Sequence, residues 1–191
     1  MVIIIAITGA TGAIYGIRLL ESLISLKDIE THLVISAAGE KTIACETSRK
    51  VSDIRKLADY CYAPDDIGAP IASGSFISSG MLIAPCTIKT MSAVANSFSD
   101  NLITRAADVT LKERRKLVMM VRETPLHLGH LRNMEKLAEM GVVILPPMPA
   151  FYHNPQTIQN IVDHTVGKAL DIFDIKHELF PRWSGITLES N

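Results

Sequence analysis

An apolar run from Val2 to Ile7 ends in Thr8 and passes at once through Gly9, Gly12 and Gly16 into a helical pattern beginning IRLLESL. A buried strand that enters a helix through glycines is the junction at which α/β sheets hold phosphate. Glycine lets the backbone approach an anion, and the free N–H groups of the helix start attract it. The spacing matches neither GxGxxG nor GxxxxGK[ST], and the same glycines would also serve an ordinary tight turn. The first expectation is therefore a nucleotide-type ligand over the end of this strand, with the plain turn as the alternative. The next strand pattern, THLVIS, narrows the ligand. Dinucleotide folds hold a ribose with an acid about 20 residues past the loop. Here the strand ends in Ser36, followed by Ala37, Ala38 and Gly39. A hydroxyl among small residues suits a phosphate or ribityl contact, so the reading is a mononucleotide, with NAD as the alternative.

Further apolar runs recur at Leu33 to Ile35, Met81 to Ala84, Leu117 to Val121 and Val142 to Leu145, with a weaker one at Tyr60 to Tyr62. Strands buried on both faces read this way. Helical patterns lie between them: Ala13 to Leu26, Glu40 to Cys45 with Ser52 to Ala58, Lys89 to Ala95, Asp100 to Arg115, His127 to Met140, and Gln156 to Phe173. Such alternation predicts an α/β fold: a doubly wound parallel sheet in a three-layer sandwich, flavodoxin-like or Rossmann-like. Ligands then sit beyond the carboxyl ends of the strands. Those ends carry Gly9-Ala10-Thr11, Ser36, the run Pro85 to Thr90, Arg122-Glu123, and the run Pro146 to His153.

The 191 residues contain no linker or repeat and read as one domain, 1–191, closing in a C-terminal helix and tail over 156–191. Lys and Arg number 19 against 20 Asp and Glu, which gives no electrostatic footing for nucleic acid or a membrane surface. A hydrophobic fraction of 48% is high for a domain of this size and points to apolar surface covered between subunits, hence a homo-oligomer. The uncharged first 17 residues lack the basic start of a signal peptide. No stretch is long and apolar enough for a bilayer span. Cys45, Cys61 and Cys86 show no CxxC spacing. The expectation is a cytoplasmic protein.

Among the chemistry-bearing residues, Arg105, Asp108 and Lys112 share one face of the Asp100 to Arg115 pattern. The run Lys112 to Lys116 reads as a solvated charge ladder, from which Lys112 separates because it extends the face of Arg105. Glu123 at a strand end can move a proton or orient an arginine, or simply favour a helix start. Glu46 is a weaker candidate of the same kind. His127, His130 and His153 lack a further ligand at metal spacing and read as structural, and Asp65-Asp66 is not a DDxxD magnesium motif. Thr87 and Thr90 also read as helix caps, and Cys86 as a small buried residue. Phe151 and Tyr152, stiffened by the prolines of PPMPAFYHNP, read as an interface anchor or a pocket wall.

Assembled, these segments resemble the UbiX-type flavin prenyltransferases of the flavin-binding decarboxylase-like superfamily. The matching elements are TGATGAIYG, SGSF (73–76), PCTIKT, RAADVTLKERR (105–115), VRETPLHLGHLR, PPMPAFYH (146–153) and PRW (181–183), in order along nearly the whole chain. The resemblance implies a dodecameric, metal-independent transferase that joins a dimethylallyl group from dimethylallyl monophosphate to N5 and C6 of reduced FMN and releases phosphate. The prenylated FMN would serve UbiD-type decarboxylases of ubiquinone or aromatic acid metabolism. The family's roles carry over to Gly9, Ala10, Thr11, Ser36, Thr87, Ile88, Lys89, Thr90 and Arg122 for FMN. Tyr152, Lys168, Lys112 and Trp183 would meet the allyl phosphate, and Arg105, Lys112, Glu46 and Glu123 would complete a catalytic site shared between subunits.

Departing phosphate leaves an allylic cation, so cations at Lys112, Lys168 and Arg105 would stabilise the leaving group and aromatic faces at Tyr152 and Trp183 the carbon. Glu123 or the phosphate would carry the protons. Two positions depart from many relatives: Thr11 stands for serine, which restricts a rotamer, and Lys168 for arginine, which loses a bidentate fork. The rival readings are an FMN-dependent decarboxylase of the same superfamily, whose PASANT-like segment is here PCTIKT, and a non-catalytic flavin-binding subunit of a decarboxylase.

Overall fold

The structure is a computed structural model that describes residues 1–183 and 185. The chain divides into two compact units, Met1–Pro147 and Met148–Asn191. The boundary falls ahead of position 156, where the sequence sets the C-terminal helix and tail; residues 184 and 186–191 of that tail lie outside the described residues.

The first unit holds a sheet built from β1 (Val2–Ile7), β2 (Glu30–Ile35), β3 (Tyr60–Tyr62), β4 (Gly80–Cys86), β5 (Lys116–Val121) and β6 (Val143–Ile144). The order is β3-β2-β1-β4-β5-β6, and every pairing is parallel. All seven residues of β4 and the last five of β1 are buried, as their unbroken apolar runs require. Even the weak Tyr60 to Tyr62 pattern is a strand, at the sheet edge.

Between the strands run α1 (Ala13–Leu23), α2 (Ala37–Glu46), α3 (Val51–Arg55), α4 (Ile88–Ala95), α5 (Leu102–Lys112) and α6 (Leu128–Glu139), with a 3₁₀ turn at Pro70–Ala72. Alternate residues of β1 point to opposite faces. Ile4 and Ala6 join Met81, Ile83 and Met119 in a core closed by Met91 and Val94 of α4 and by Leu102, Ile103 and Ala106 of α5. Gly16 of α1 lies against Ile7 and the Ala84 carbonyl on the opposite face. This is the expected three-layer sandwich.

Chain direction across the sheet reverses at β1 and β4: the path moves outward through β2 and β3, then returns to β4 and leaves through β5 and β6. A crevice opens beyond the carboxyl ends of the two strands at such a reversal. Here the strands are tied together. Thr8 donates its hydroxyl to the Pro85 carbonyl (2.7 Å) and accepts from the Thr87 N–H (2.9 Å).

The second unit is α7 (Ile158–Ile172) with the segments flanking it. Thr157 opens the helix with a capping box shared with Asn160. Beyond the helix, Arg182 folds back as a fork onto Asp171 (2.6 and 2.7 Å), and His177 bonds the same carboxylate at 3.1 Å.

Candidate active site

A cleft of about 650 Å³ opens at the switch point of the first unit. Thr8 and Gly9 enter it from β1, Ser36 to Ala38 from β2, and Thr87, Lys89, Thr90 and Ala93 from β4. Three helices start on its wall, α2, α4 and α5, the last capped by Asn101. Ser36 caps α2 by accepting from the Gly39 N–H (3.0 Å), and Thr87 caps α4 by accepting from the Thr90 N–H (3.2 Å). Such helix starts favour an anion, and Lys89 adds a cation. Gly9 is required by proximity, since a Cβ there would come within 2.5 Å of the Ala38 Cβ. The volume, the hydroxyls and the backbone approach fit a flavin mononucleotide.

Five of the nine residues that the resemblance gives to FMN line this cleft: Gly9, Ser36, Thr87, Lys89 and Thr90. Ala10, Thr11, Ile88 and Arg122 stand beside it in the chain without lining it. Ile88 packs on the core, and Arg122 lies close enough to oppose the upward pull of burial on the Tyr15 hydroxyl. The cleft also contains residues to which the sequence reading gives no ligand role: Pro64, Asp100, Asn101, Ile103, Thr104 and Asp65, whose pair with Asp66 is weighed only as a magnesium motif. Asn101 was legible as a helix start, because its side chain accepts from the Ile103 and Thr104 N–H groups in a capping box. Beyond that pair, Asp65 carried no local signal.

Within the glycine loop, only Gly9 lines the cleft, and the start of α1 has a partner from the protein itself. The N–H groups of Gly12 and Ala13, at the start of α1, both donate to Glu46 Oε2, at 2.9 and 3.0 Å. Glu46 is the last residue of α2, and its carboxylate caps the start of α1. The helix starts that line the cleft are those of α2, α4 and α5.

Arg105 and Lys112 sit on α5, whose first turn lines the cleft. Arg105 donates to the Ala72 carbonyl (3.0 Å) and pairs with Asp108 (3.1 Å). Lys112, at the far end, is roughly 12 Å of helical rise from Thr104. Its ammonium pairs with Glu113 and lies over the SGSF loop, where a Cβ on Gly74 would be 2.6 Å from Lys112 Nζ. That pairing holds the Glu113 carboxyl below its ordinary range. Arg115, read from sequence as part of a solvated ladder, instead holds this loop by donating to the carbonyls of Phe76 (2.6 Å) and Gly74 (3.0 Å). Glu123 is exposed beyond β5 and accepts from the Thr124 N–H (3.0 Å). His127 caps α6 through Nδ1, accepting from the Gly129 N–H (3.0 Å). Cys86 is buried, and burial pushes its thiol up to about 12, as suits a core residue.

The second unit gathers the remaining site residues. The Tyr152 ring meets the Trp183 ring edge-on at 5.5 Å, and its hydroxyl is 2.7 Å from His164 Nε2. Lys168, one turn beyond His164 on α7, is near enough to lower the affinity of that imidazole for a proton. Tyr152, Trp183 and Lys168 therefore form one aromatic and cationic cluster. His164, at its centre, escaped the sequence reading because a single histidine between Asp163 and Thr165 carries no spacing signal. Among the described residues, no group of three or more His, Cys, Asp or Glu is placed to hold a metal ion.

The flavoprotein family model matches residues 1–183. The flavin prenyltransferase UbiX of Thauera aromatica is 57% identical over 185 residues, 97% of this chain and 95% of that one. The chain is a UbiX-family flavoprotein. Two solved UbiX-type structures have the same fold. The dodecameric FMN-dependent UbiX-like decarboxylase from Escherichia coli O157:H7 is 46% identical, with a TM-score of 0.95 over 97% of this chain and 100% of that one. AnUbiX (PadA1), in complex with FMN and dimethylallyl pyrophosphate, is 48% identical, with a TM-score of 0.95 over 97% and 98%. The UbiX fold thus extends over essentially all of this chain.

Proposed function

We propose that this chain is a flavin prenyltransferase, transferring a dimethylallyl group from dimethylallyl monophosphate to N5 and C6 of reduced FMN with release of phosphate. The observation that carries the reading is near full-length similarity to UbiX flavin prenyltransferases, including a relative bound to FMN and dimethylallyl pyrophosphate. FMN supplies the nucleophilic ring and needs a site that binds its phosphate and ribityl chain. The switch-point cleft offers this through Ser36, Thr87, Thr90 and Lys89.

The donor ester needs positive charge at its phosphate and electron-rich faces at its carbon. Lys112 and Arg105 supply the first on α5, and Lys168 with Tyr152 and Trp183 supplies both in the second unit. Lys112 stands at the other end of α5 from the cleft, which supports a site completed by a neighbouring subunit in a dodecamer. Its bond to Glu113 keeps the ammonium oriented until an ester phosphate competes for it. Glu123, exposed at the end of β5, is the candidate for moving a proton. The product would pass to a UbiD-type decarboxylase, and we assign the chain to the cytoplasm.

The test is to supply reduced FMN with dimethylallyl monophosphate, and in parallel with the diphosphate, under anaerobic conditions. Mass spectrometry should find a flavin heavier by one five-carbon unit. Unchanged flavin mass with either donor would defeat the reading. Carbon dioxide release from an acid substrate without any prenyl donor would favour the FMN-dependent decarboxylase instead.

A further inference from the structure

We propose that His164 is a positioning residue for Tyr152: its neutral imidazole donates Nε2–H to the tyrosine oxygen, leaving the phenolic proton free to bond an anionic oxygen of the allyl ester. The inference rests on the prenyltransferase reading for the identity of that ester, and on geometry within the second unit for everything else.

His164 is a buried residue of α7, and its Nε2 lies 2.7 Å from the Tyr152 oxygen. The ring is held on several sides. His153 stacks on it at 4.8 Å with planes 9° apart, Phe180 approaches at 4.6 Å, and the Tyr152 ring meets it edge-on at 5.4 Å. Neither ring nitrogen of His153 has a hydrogen-bond partner among the described residues, so the stacked imidazole does not anchor His164 through a bond of its own. Charge around the ring opposes protonation. Burial, His153 and Lys168 all hold the His164 imidazole below its ordinary range, and only Asp171 acts the other way.

A neutral imidazole has one donor and one acceptor, and the choice decides what Tyr152 can do. If the phenol spent its proton on His164, it would present only lone pairs outward, and those repel a phosphate oxygen. With the proton on Nε2, His164 donates inward, and the tyrosine hydroxyl turns its hydrogen toward the ligand. Tyr152 is 52% exposed and Trp183 packs on its ring edge, so the side chain faces solvent with its ring held from behind. This gives a role to the histidine on the buried face of α7.

The experiment compares His164→Phe, which keeps a ring but loses the donor, with His164→Gln, which keeps a neutral donor. His164→Phe should raise KM for dimethylallyl monophosphate about tenfold, equivalent to about 1.4 kcal/mol, with kcat within about twofold. His164→Gln should recover most of that loss. The double variant with Tyr152→Phe should be no worse than Tyr152→Phe alone, because the histidine acts through the hydroxyl. Independently of turnover, ¹⁵N spectra of the histidine-labelled wild type should place the His164 proton on Nε2 at neutral pH. A proton on Nδ1, kinetics of His164→Phe equal to wild type, or additive losses in the double variant would overturn the inference. If His164→Phe does not fold, the ¹⁵N spectrum and His164→Gln still decide it. Wild-type protein that makes no prenylated flavin would defeat the prenyltransferase reading instead, while the spectrum would still test the His164–Tyr152 bond.

Discussion

Glu46 and Lys112 show how a side chain's partner, more than its type, sets what it can do. Glu46 completes the start of α1 by accepting from Gly12 and Ala13. Glu46→Ala should therefore lower stability by about 1 kcal/mol, the usual loss on removing a helix cap, measured as the urea midpoint. An unchanged midpoint would show that the α1 start gains nothing from the carboxylate. Lys112 makes its bond to Glu113, away from the hydroxyl-lined cleft of its own chain. Lys112→Ala should cut kcat by about 100-fold or more, the scale of losing one transition-state partner, with FMN affinity within about twofold by fluorescence titration. Loss of FMN binding would move Lys112 to the flavin side. The residue types at both positions were legible as candidates. Their partners were not: Glu46 reaches a loop 34 residues earlier in the chain, and Lys112 turns to its immediate neighbour.

Elements explain how distant parts of the site are held. Among the described residues, the apolar patterns marked each strand: the central ones because strands buried on both faces must be apolar, and the exposed edge strand β3 only weakly. Helix ends were harder to read. The pattern expected from Asp100 to Arg115 is α5 only from Leu102 to Lys112, because Asn101 supplies the cap and Arg114 turns left-handed at φ 56°. Arg115 is thereby released from the helix to hold the SGSF loop, and a charge ladder read along a longer helix could not show that. The segment after α7 is tied back to Asp171 through Arg182 and His177. Arg182 holds the Asp171 carboxyl below its ordinary value of 3.8 through its hydrogen bonds. A depressed acid contributes its stabilisation above the unfolded value, and that contribution is lost as pH falls through the folded one. Trp183, the single tryptophan, follows Arg182 and reports the event. Its emission should stay constant down to about pH 4 and shift to the red below it. Asp171→Asn should give the shifted emission at neutral pH, and an acid titration of that variant identical to wild type would refute the anchor.

At the scale of the whole molecule, large apolar side chains remain uncovered in both units: Ile77 is 80% exposed and Phe98 61% in the first, Phe151 70% and Ile158 81% in the second. Surfaces of this kind mark contacts between subunits. Phe151→Glu should lower the mass measured by light scattering and reduce prenyl transfer with it, while the circular dichroism of the fold is retained. A variant of normal mass and activity would remove Phe151 from the interface. Local sequence alone established that this chain is an α/β protein with a hydroxyl-lined cleft at its strand ends, since periodicity and glycine placement act over a few residues. It also carried the family, through motifs that keep their order from Gly9 to Trp183. Which strand ends meet was decided by tertiary structure. Thr8 reaches Thr87 across 79 residues because β4 returns to pair with β1, and Glu46 caps the start of α1 because α2 ends beside it. Long-range crossovers make those contacts, and no local pattern of hydrophobicity encodes them.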